Sequence, residues 1–374
     1  MKLRRRGSIR RALVAVVALA LVLVACGDGE DEAVPETGDA TEEAEAVEEA
    51  EAAEEAEAPA EDDEAAGDPP PDVFLSLATG GTGGAYYPYG GALASLLSRE
   101  IGHVTASAEA TGASVENLRL LEQGNIDLAH VQADAIFQAY NGTGPFDGEP
   151  VEVRTIIAKY PNYMQLIALA DSGIETYDDL AGQRVSVGDA GSGVELTLGN
   201  IMEALGDSYD DFGDLLQFGY NDQTSAFRNN QIDVGNYQGA LGLAAITDLS
   251  STSDITILSF SDEQIDAIIE ELPYHGPGTI EAGTYPGVDS DVQVPSLWNF
   301  VAVSADMDRE LVYEITRVAY ENQDDLISGH PEAENTTLDN VALGVVPYHP
   351  GAIDYFLEQG VDLPEHLYPD EWDG

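Results

Sequence analysis

From Val73 onward, short apolar runs alternate with longer segments in which apolar residues recur every three or four positions. Val73–Ala78, Val104–Ala110 and Ile126–Val131 read as strands, and Tyr87–Ile101, Ser114–Gln123 and Ala133–Tyr140 as helices. Near Tyr160 a second unit begins. Its strands are Leu166–Ala170, Val185–Val187 and Ile232–Val234, and its helices run from Gly193 through Leu205 and open again over Gly239–Ala245. The last third offers a strand at Val301–Val303 and helices at Leu311–Ala319 and Gly351–Gln359, with Trp298 and Tyr348 as core or hinge aromatics. Strand-helix alternation of this kind predicts an α/β fold with mostly parallel sheets and helices on both faces.

Ligands in such sheets bind beyond the carboxyl ends of the strands, so the polar residues there are the candidates. The first is the glycine loop between Ala78 and Leu97. Gly80, Gly81, Gly83 and Gly84 permit tight turns, Pro88 suits a first helical turn, and a helix N-terminus offers free N–H groups to an anion. Thr82, Gly83 and Gly84 belong to the loop, and Tyr86, Tyr87 and Tyr89 are expected at its mouth. No Lys-Ser/Thr pair closes the loop, so it is not a nucleotide P-loop. Thr111 and Ser114 follow the second strand, and Gln132 and Asp134 the third. Ser114 also reads as a helix cap, and Asp134 as a solvated acid favoured by a helix dipole. In the second unit Gly188 to Gly193 repeats the strand, glycine turn and helix, bringing Gly191, Ser192 and Gly193. Asn236 and Tyr237 are expected just after a strand. Two anion-friendly helix ends, one per unit, suggest a cleft that holds a carboxylated ligand from both sides. Lys159 beside Tyr160 is the first choice for a cation facing it, ahead of Arg154, Arg184 and Arg228.

The N-terminus changes the setting. MKLRRRGSIRR is basic, and the apolar run Ala12 to Ala25 is short for a membrane span but fits a secretory signal. It ends at Leu23-Val24-Ala25-Cys26, which resembles a bacterial lipoprotein cleavage box and makes Cys26, the single cysteine, the expected lipidation site. From Gly27 to Asp72 there are 21 acidic residues and no Lys or Arg, the composition of a disordered tether. The folded part keeps 49 acids against eight bases, and Lys159 is its only lysine. Nucleic acid is excluded as a partner, because phosphate neutralisation needs clustered cations. The acidity reads as a solubility feature suited to high salt.

Several long stretches, GTGGAYYPYGGALA, TGASVENLRLLEQGNIDLAHVQAD, DDLAGQRVSVGDAGSGVE, AGTYPGVDSDVQV and VPYHPGAIDYFLEQGV, together resemble the TAXI family of TRAP-transporter solute receptors, over nearly all of Val73 to Pro369. The resemblance implies a two-lobed, type II periplasmic-binding-protein-like fold and an extracytoplasmic receptor for a small carboxylated ligand such as glutamate or a dicarboxylate. It implies delivery to a TRAP-type membrane permease, attachment to the outer face of the cell membrane through Cys26, and no enzymatic activity. It puts ligand contacts at Thr82, Gly84, Tyr86, Tyr87, Thr111, Ser114, Gln132, Asp134, Ser192 and Gly193. Where the family pattern often carries glycine directly before the serine, this chain has Ala113. The expected organisation is a signal peptide (1–25), a tether (26–72), lobe 1 (73–160), lobe 2 (161–285) and a return to lobe 1 (286–374). A monomer without cofactor or metal is expected.

An enzyme is a weaker reading: there is no G-x-S-x-G elbow and no H-E-x-x-H helix, and the six histidines are scattered without ligand spacing. The remaining alternative is a surface lipoprotein with a structural or adhesive role.

Overall fold

The computed structural model describes residues 71–373. The signal peptide, Cys26 and the tether up to residue 70 lie outside the described residues. The chain runs β1 (Val73–Ala78), α1 (Tyr86–Glu100), β2 (Val104–Glu109), α2 (Ser114–Glu122), β3 (Leu128–Gln132) and α3 (Ala133–Asn141), following the alternation read from the sequence. It continues with β4 (Val153–Leu169), β5 (Arg184–Ser186), α4 (Gly193–Leu205), β6 (Asp214–Leu216), α5 (Tyr220–Arg228), β7 (Val234–Gly239) and α6 (Ala244–Ser250). Next come β8 (Ile255–Ile257), α7 (Asp262–Glu271), β9 (His275–Ile280), β10 (Val292–Ser304), α8 (Arg309–Glu321), α9 (Gln323–Gly329) and α10 (Pro350–Glu358).

The class is α/β, and the strand order is β2-β1-β3-β10-β4-β7-β5-β6, with β8 on β4 and β9 on β10. Each end of the sheet is parallel: β1 with β2 and β3, and β5 with β6 and β7. Between them run two long antiparallel strands, so the sheet is mixed. β10 pairs antiparallel with β3, β4 and β9, and β4 with β7 and β8. Only β4 and β10 reach from one end toward the other, and the register of their pairing shifts between Trp298 and Phe300.

Side-chain alternation along β10 shows how the layers form. Phe300 and Ala302 join one core with Leu118 and Leu121 of α2 and Ile136 of α3. Val301 and Val303 point the other way, into the core that holds Leu93 and Leu97 of α1, Ile315 of α8 and Phe356 of α10. Each fully buried leucine or phenylalanine in these layers contributes about 2 kcal/mol of transfer free energy.

The long strands depart from the sequence reading. β4 starts at Val153 rather than Leu166, and β10 at Val292 rather than Val301. Lys159, Asn162 and Gln165 interrupt the apolar run of β4, yet all three are buried inside the sheet. β7 extends to Gly239, so Asn236 and Tyr237 lie within a strand and not beyond its end. Their polarity suggested a loop, whereas the fold buries both side chains. No helix among the described residues is long and apolar enough to cross a membrane.

Candidate functional site

Four helix N-termini meet around one cavity of about 240 Å³. The loop from Gly80 to Ala85 leads into α1, Gly112 to Ser114 into α2, Asp189 to Gly193 into α4, and Gly219 to Asp222 into α5. The first-turn N–H groups of a helix have no intrahelical acceptor. At α4 the hydroxyl of Ser192 takes one of them, accepting from the Glu195 N–H at 3.1 Å. At α1, α2 and α5 the cap positions are Ala85, Ala113 and Gly219, and no side chain caps them. The Tyr86 and Tyr87 N–H groups of α1, the Ser114 and Val115 N–H groups of α2 and the first-turn N–H groups of α5, with their positive dipole ends, therefore remain for whatever fills the cavity.

Backbone shape brings α2 and α4 together. A Cβ at Gly193 would overlap Gln132 Oε1 and Ser114 Oγ, so only a bare glycine lets the first turn of α4 approach so closely. The Glu116 N–H donates to the Gly191 carbonyl at 3.3 Å, and the Thr197 hydroxyl of α4 donates to Asp134 of α3. The loop before α1 meets α5 in the same way, with Gly83 against Asn221 and Gly84 against the Tyr220 ring. Ala113 sits at φ 73° and ψ −150°, a region that side chains other than glycine's rarely enter.

Of the residues singled out in the sequence, Thr82, Gly83, Gly84, Tyr86, Ser114, Gln132, Ser192 and Gly193 line the cavity. The others lie elsewhere. Tyr87 is exposed outside the wall. The Thr111 hydroxyl donates to Asn117 Oδ1 at 2.6 Å and shapes the loop from behind. Asn236 donates to the carbonyls of Val187 and Val194, bracing the α4 loop, while Tyr237 is buried with its hydroxyl near Thr224. Gly191 contributes its carbonyl to Glu116 rather than to the wall. Lys159 and Tyr160 are fully buried behind Tyr86. Ser114 is not the cap of α2: it stands one residue inside, and its Oγ accepts from the Gln132 N–H at 3.1 Å. Asp134 is not solvated. Burial pushes its carboxyl up to about 6 against the lowering effect of Thr197 and the Ala135 N–H.

None of the expected arginines reaches the cavity. Arg154 pairs with Glu371, Arg184 with Asp233 and Arg228 with Asp248. The wall instead holds residues the sequence reading passed over: Asn162, Asp189, Tyr220, Asn221, Asp222 and Gln238. Asn162 and Gln238 are each 2% exposed, and Asn162 Oδ1 and both amide atoms of Gln238 have no hydrogen-bond partner. Buried polar atoms are nearly always paired, so these mark hydrogen-bonding capacity turned toward the cavity. Burial, with Asp222 and Glu116 nearby, holds the Asp189 carboxyl above its ordinary range. Among the described residues no cluster of His, Cys, Asp and Glu has the geometry to hold a metal ion.

The profile of the NMT1-like family matches residues 77–360. Among solved structures, the chain is similar to the periplasmic aliphatic sulphonate binding protein SsuA from Escherichia coli, at 15% identity and TM-score 0.42, over 77% of this chain and 84% of that one. It is also similar to PhnD1 from Prochlorococcus marinus in complex with methylphosphonate, at 10% identity and TM-score 0.49, over 70% and 90%. A third is a putative L-cystine ABC transporter protein from Listeria monocytogenes, at 15% identity and TM-score 0.44, over 70% and 95%.

Proposed function

The chain belongs to the NMT1-like family, and from that premise we propose that it is an extracytoplasmic solute-binding protein that encloses a small carboxylated ligand. One observation carries the reading: four helix N-termini, three without a side-chain cap, converge on a single cavity that has no Lys or Arg in its wall. Such a wall stabilises an anion through N–H groups and dipoles rather than through an ion pair. Thr82, Tyr86, Ser114, Gln132 and Ser192 supply hydroxyls and an amide for orientation, and Asn162 and Gln238 supply the unpaired amides. Asp189 and Asp222 suit a ligand that also carries an ammonium group, which favours an amino acid such as glutamate over a plain dicarboxylate.

The sequence motifs favour delivery to a TRAP-type permease of the TAXI class, with the mature protein held at the outer face of the cell membrane by a lipid on Cys26. The halves that share β4 and β10 act as lobes, open without ligand and closed over it. The contacts of α2 and α3 with α4, and of the Gly83 loop with α5, belong to the closed form.

The test is a thermal-shift screen of the protein against amino acids, dicarboxylates, sulphonates and phosphonates at low and high salt. A rise in melting temperature with a carboxylated compound, lost in Tyr86→Ala and Gln238→Leu, supports the reading. A rise with sulphonates or phosphonates alone moves the ligand class. Co-purification with a permease then distinguishes a TRAP from an ABC partner.

A further inference from the structure

Behind the cavity wall lies a charge-bearing group that the binding reading leaves unused. Lys159 of β4 is fully buried, and among the described residues no carboxylate stands within ion-pair distance of it. Its Nζ lies 2.8 Å from His130 Nδ1. Around it stand three tyrosine rings, with centroids at 3.8 Å (Tyr86), 4.9 Å (Tyr89) and 4.8 Å (Tyr160). Tyr86 has two roles, for it also lines the cavity. The contact with the amine occupies His130 Nδ1, and the other ring nitrogen, Nε2, is itself buried without a partner. The chain invests its sole lysine beyond the signal in a site with no counter-ion, one ring's thickness from a cavity suited to an anion.

Resting on the carboxylate reading above, we propose that Lys159 is a positioning cation for that ligand: a neutral amine while the cavity is empty, protonated when an anion occupies it, and acting through the Tyr86 ring. A buried ammonium without a carboxylate is costly, and ring faces offset only part of the cost, so the empty protein favours the amine. An anion in the cavity favours the ammonium form and so raises the amine's titration. Binding then draws a proton from solvent.

The groups facing the pair do not replace Lys159 in this role. Burial drives the phenols of Tyr86, Tyr89 and Tyr160, and of Tyr320 on α8, above their ordinary range. Burial holds His130 and His330 below the ordinary imidazole range, and a protonated Lys159 lowers them further, so neither takes up the proton in its place. Asp134 faces Tyr86 and titrates at about 6, and Glu332 faces Tyr160 with its carboxyl raised by burial. Neither carboxyl stands within ion-pair distance of Lys159. The sign follows: the bound state holds more protons, so affinity falls by up to tenfold per pH unit as pH rises through the lysine step.

The experiment uses full-length chain with carbon-13 at lysine Cε, which gives two signals, Lys2 and Lys159. Both are titrated by NMR alone and with saturating L-glutamate or succinate, and thermal shift verifies binding. The expected result is a ligand-free Lys159 signal that passes from ammonium to amine at lower pH than the Lys2 signal does, with the step moving to higher pH when ligand is bound. In Lys159→Met the pH dependence of affinity that tracks the Lys159 step disappears. The wild-type titration stands without that variant should it fail to fold. A ligand-free Lys159 titrating in the usual lysine range overturns the proposal, as does a signal unmoved by bound probe. If neither probe binds, the carboxylate reading fails and the linkage with it.

Discussion

Ala113→Gly tests the strained turn at the start of α2. At φ 73° and ψ −150° the alanine occupies a backbone region where a side chain costs about 1–3 kcal/mol. Glycine relieves that strain but loses more freedom on folding, about 0.4–1 kcal/mol. The residue lies in the cavity wall, and the removed methyl leaves space beside Gly80 rather than a sealed void. The balance is a net gain of about 0.5–2 kcal/mol. For a folded part of this size that corresponds to about 1–4 °C in melting temperature. Urea denaturation at constant m-value and a melting curve of the ligand-free protein measure it. A loss of stability would refute the reasoning, since it would mean that the turn relaxes without strain or that the methyl packs in a way the geometry does not show.

Gly90→Ala should have the opposite sign. Although alanine is the better helix former by about 1 kcal/mol, a Cβ there would overlap Thr79 Cγ2, whose rotamer is held by a 2.6 Å hydrogen bond to the Glu109 carbonyl. Overpacking costs about 1–3 kcal/mol, so a lowered urea midpoint is expected. Asp134→Asn should flatten the pH dependence of stability between pH 4 and 6. With the folded carboxyl at about 6 against 3.8 unfolded, the native state binds the proton more tightly, and the wild type loses about 3 kcal/mol as pH rises through that window. The difference between wild-type and variant stability curves isolates it, and parallel curves would sink the assignment. Gln238→Leu removes two unpaired buried polar atoms, so the empty protein should gain about 1 kcal/mol while ligand affinity falls more than tenfold.

The first strands and helices were legible because periodicity and burial agree there: β1, α1, β2, α2 and α3 fall within two residues of the pattern at each end. The central strands were not, because β4 and β7 bury Lys159, Asn162, Gln165, Asn236 and Gln238 within the sheet, and polarity in a sequence normally signals exposure. The same confusion hid the far wall of the cavity. α5 is polar nearly throughout, and nothing in YNDQTSAFR marks its first turn as facing a cavity. The glycine loops were visible as anion-friendly helix starts. Two were read, before α1 and α4; that they meet the N-termini of α2 and α5 is a fact of tertiary packing, which spacing cannot supply. Ala113 is an intermediate case, since the TAXI resemblance made an alanine before Ser114 notable in the sequence while the backbone strain was not readable.

The distribution of cations has a consequence for the speed of capture. Six of the seven arginines among the described residues are tied to carboxylates at the surface, Arg119 reaches the Pro145 carbonyl, and Lys159 is sealed inside. No free positive patch remains to draw an anion in, and the many surface acids repel it on approach. Charge-steered encounters usually slow as ionic strength rises, but here the long-range force opposes the encounter, and salt that shortens the Debye length to about 3 Å at 1 M removes it. Stopped-flow association of an anionic ligand should therefore quicken with added salt. In brine the receptor would sample its surroundings faster than in dilute buffer.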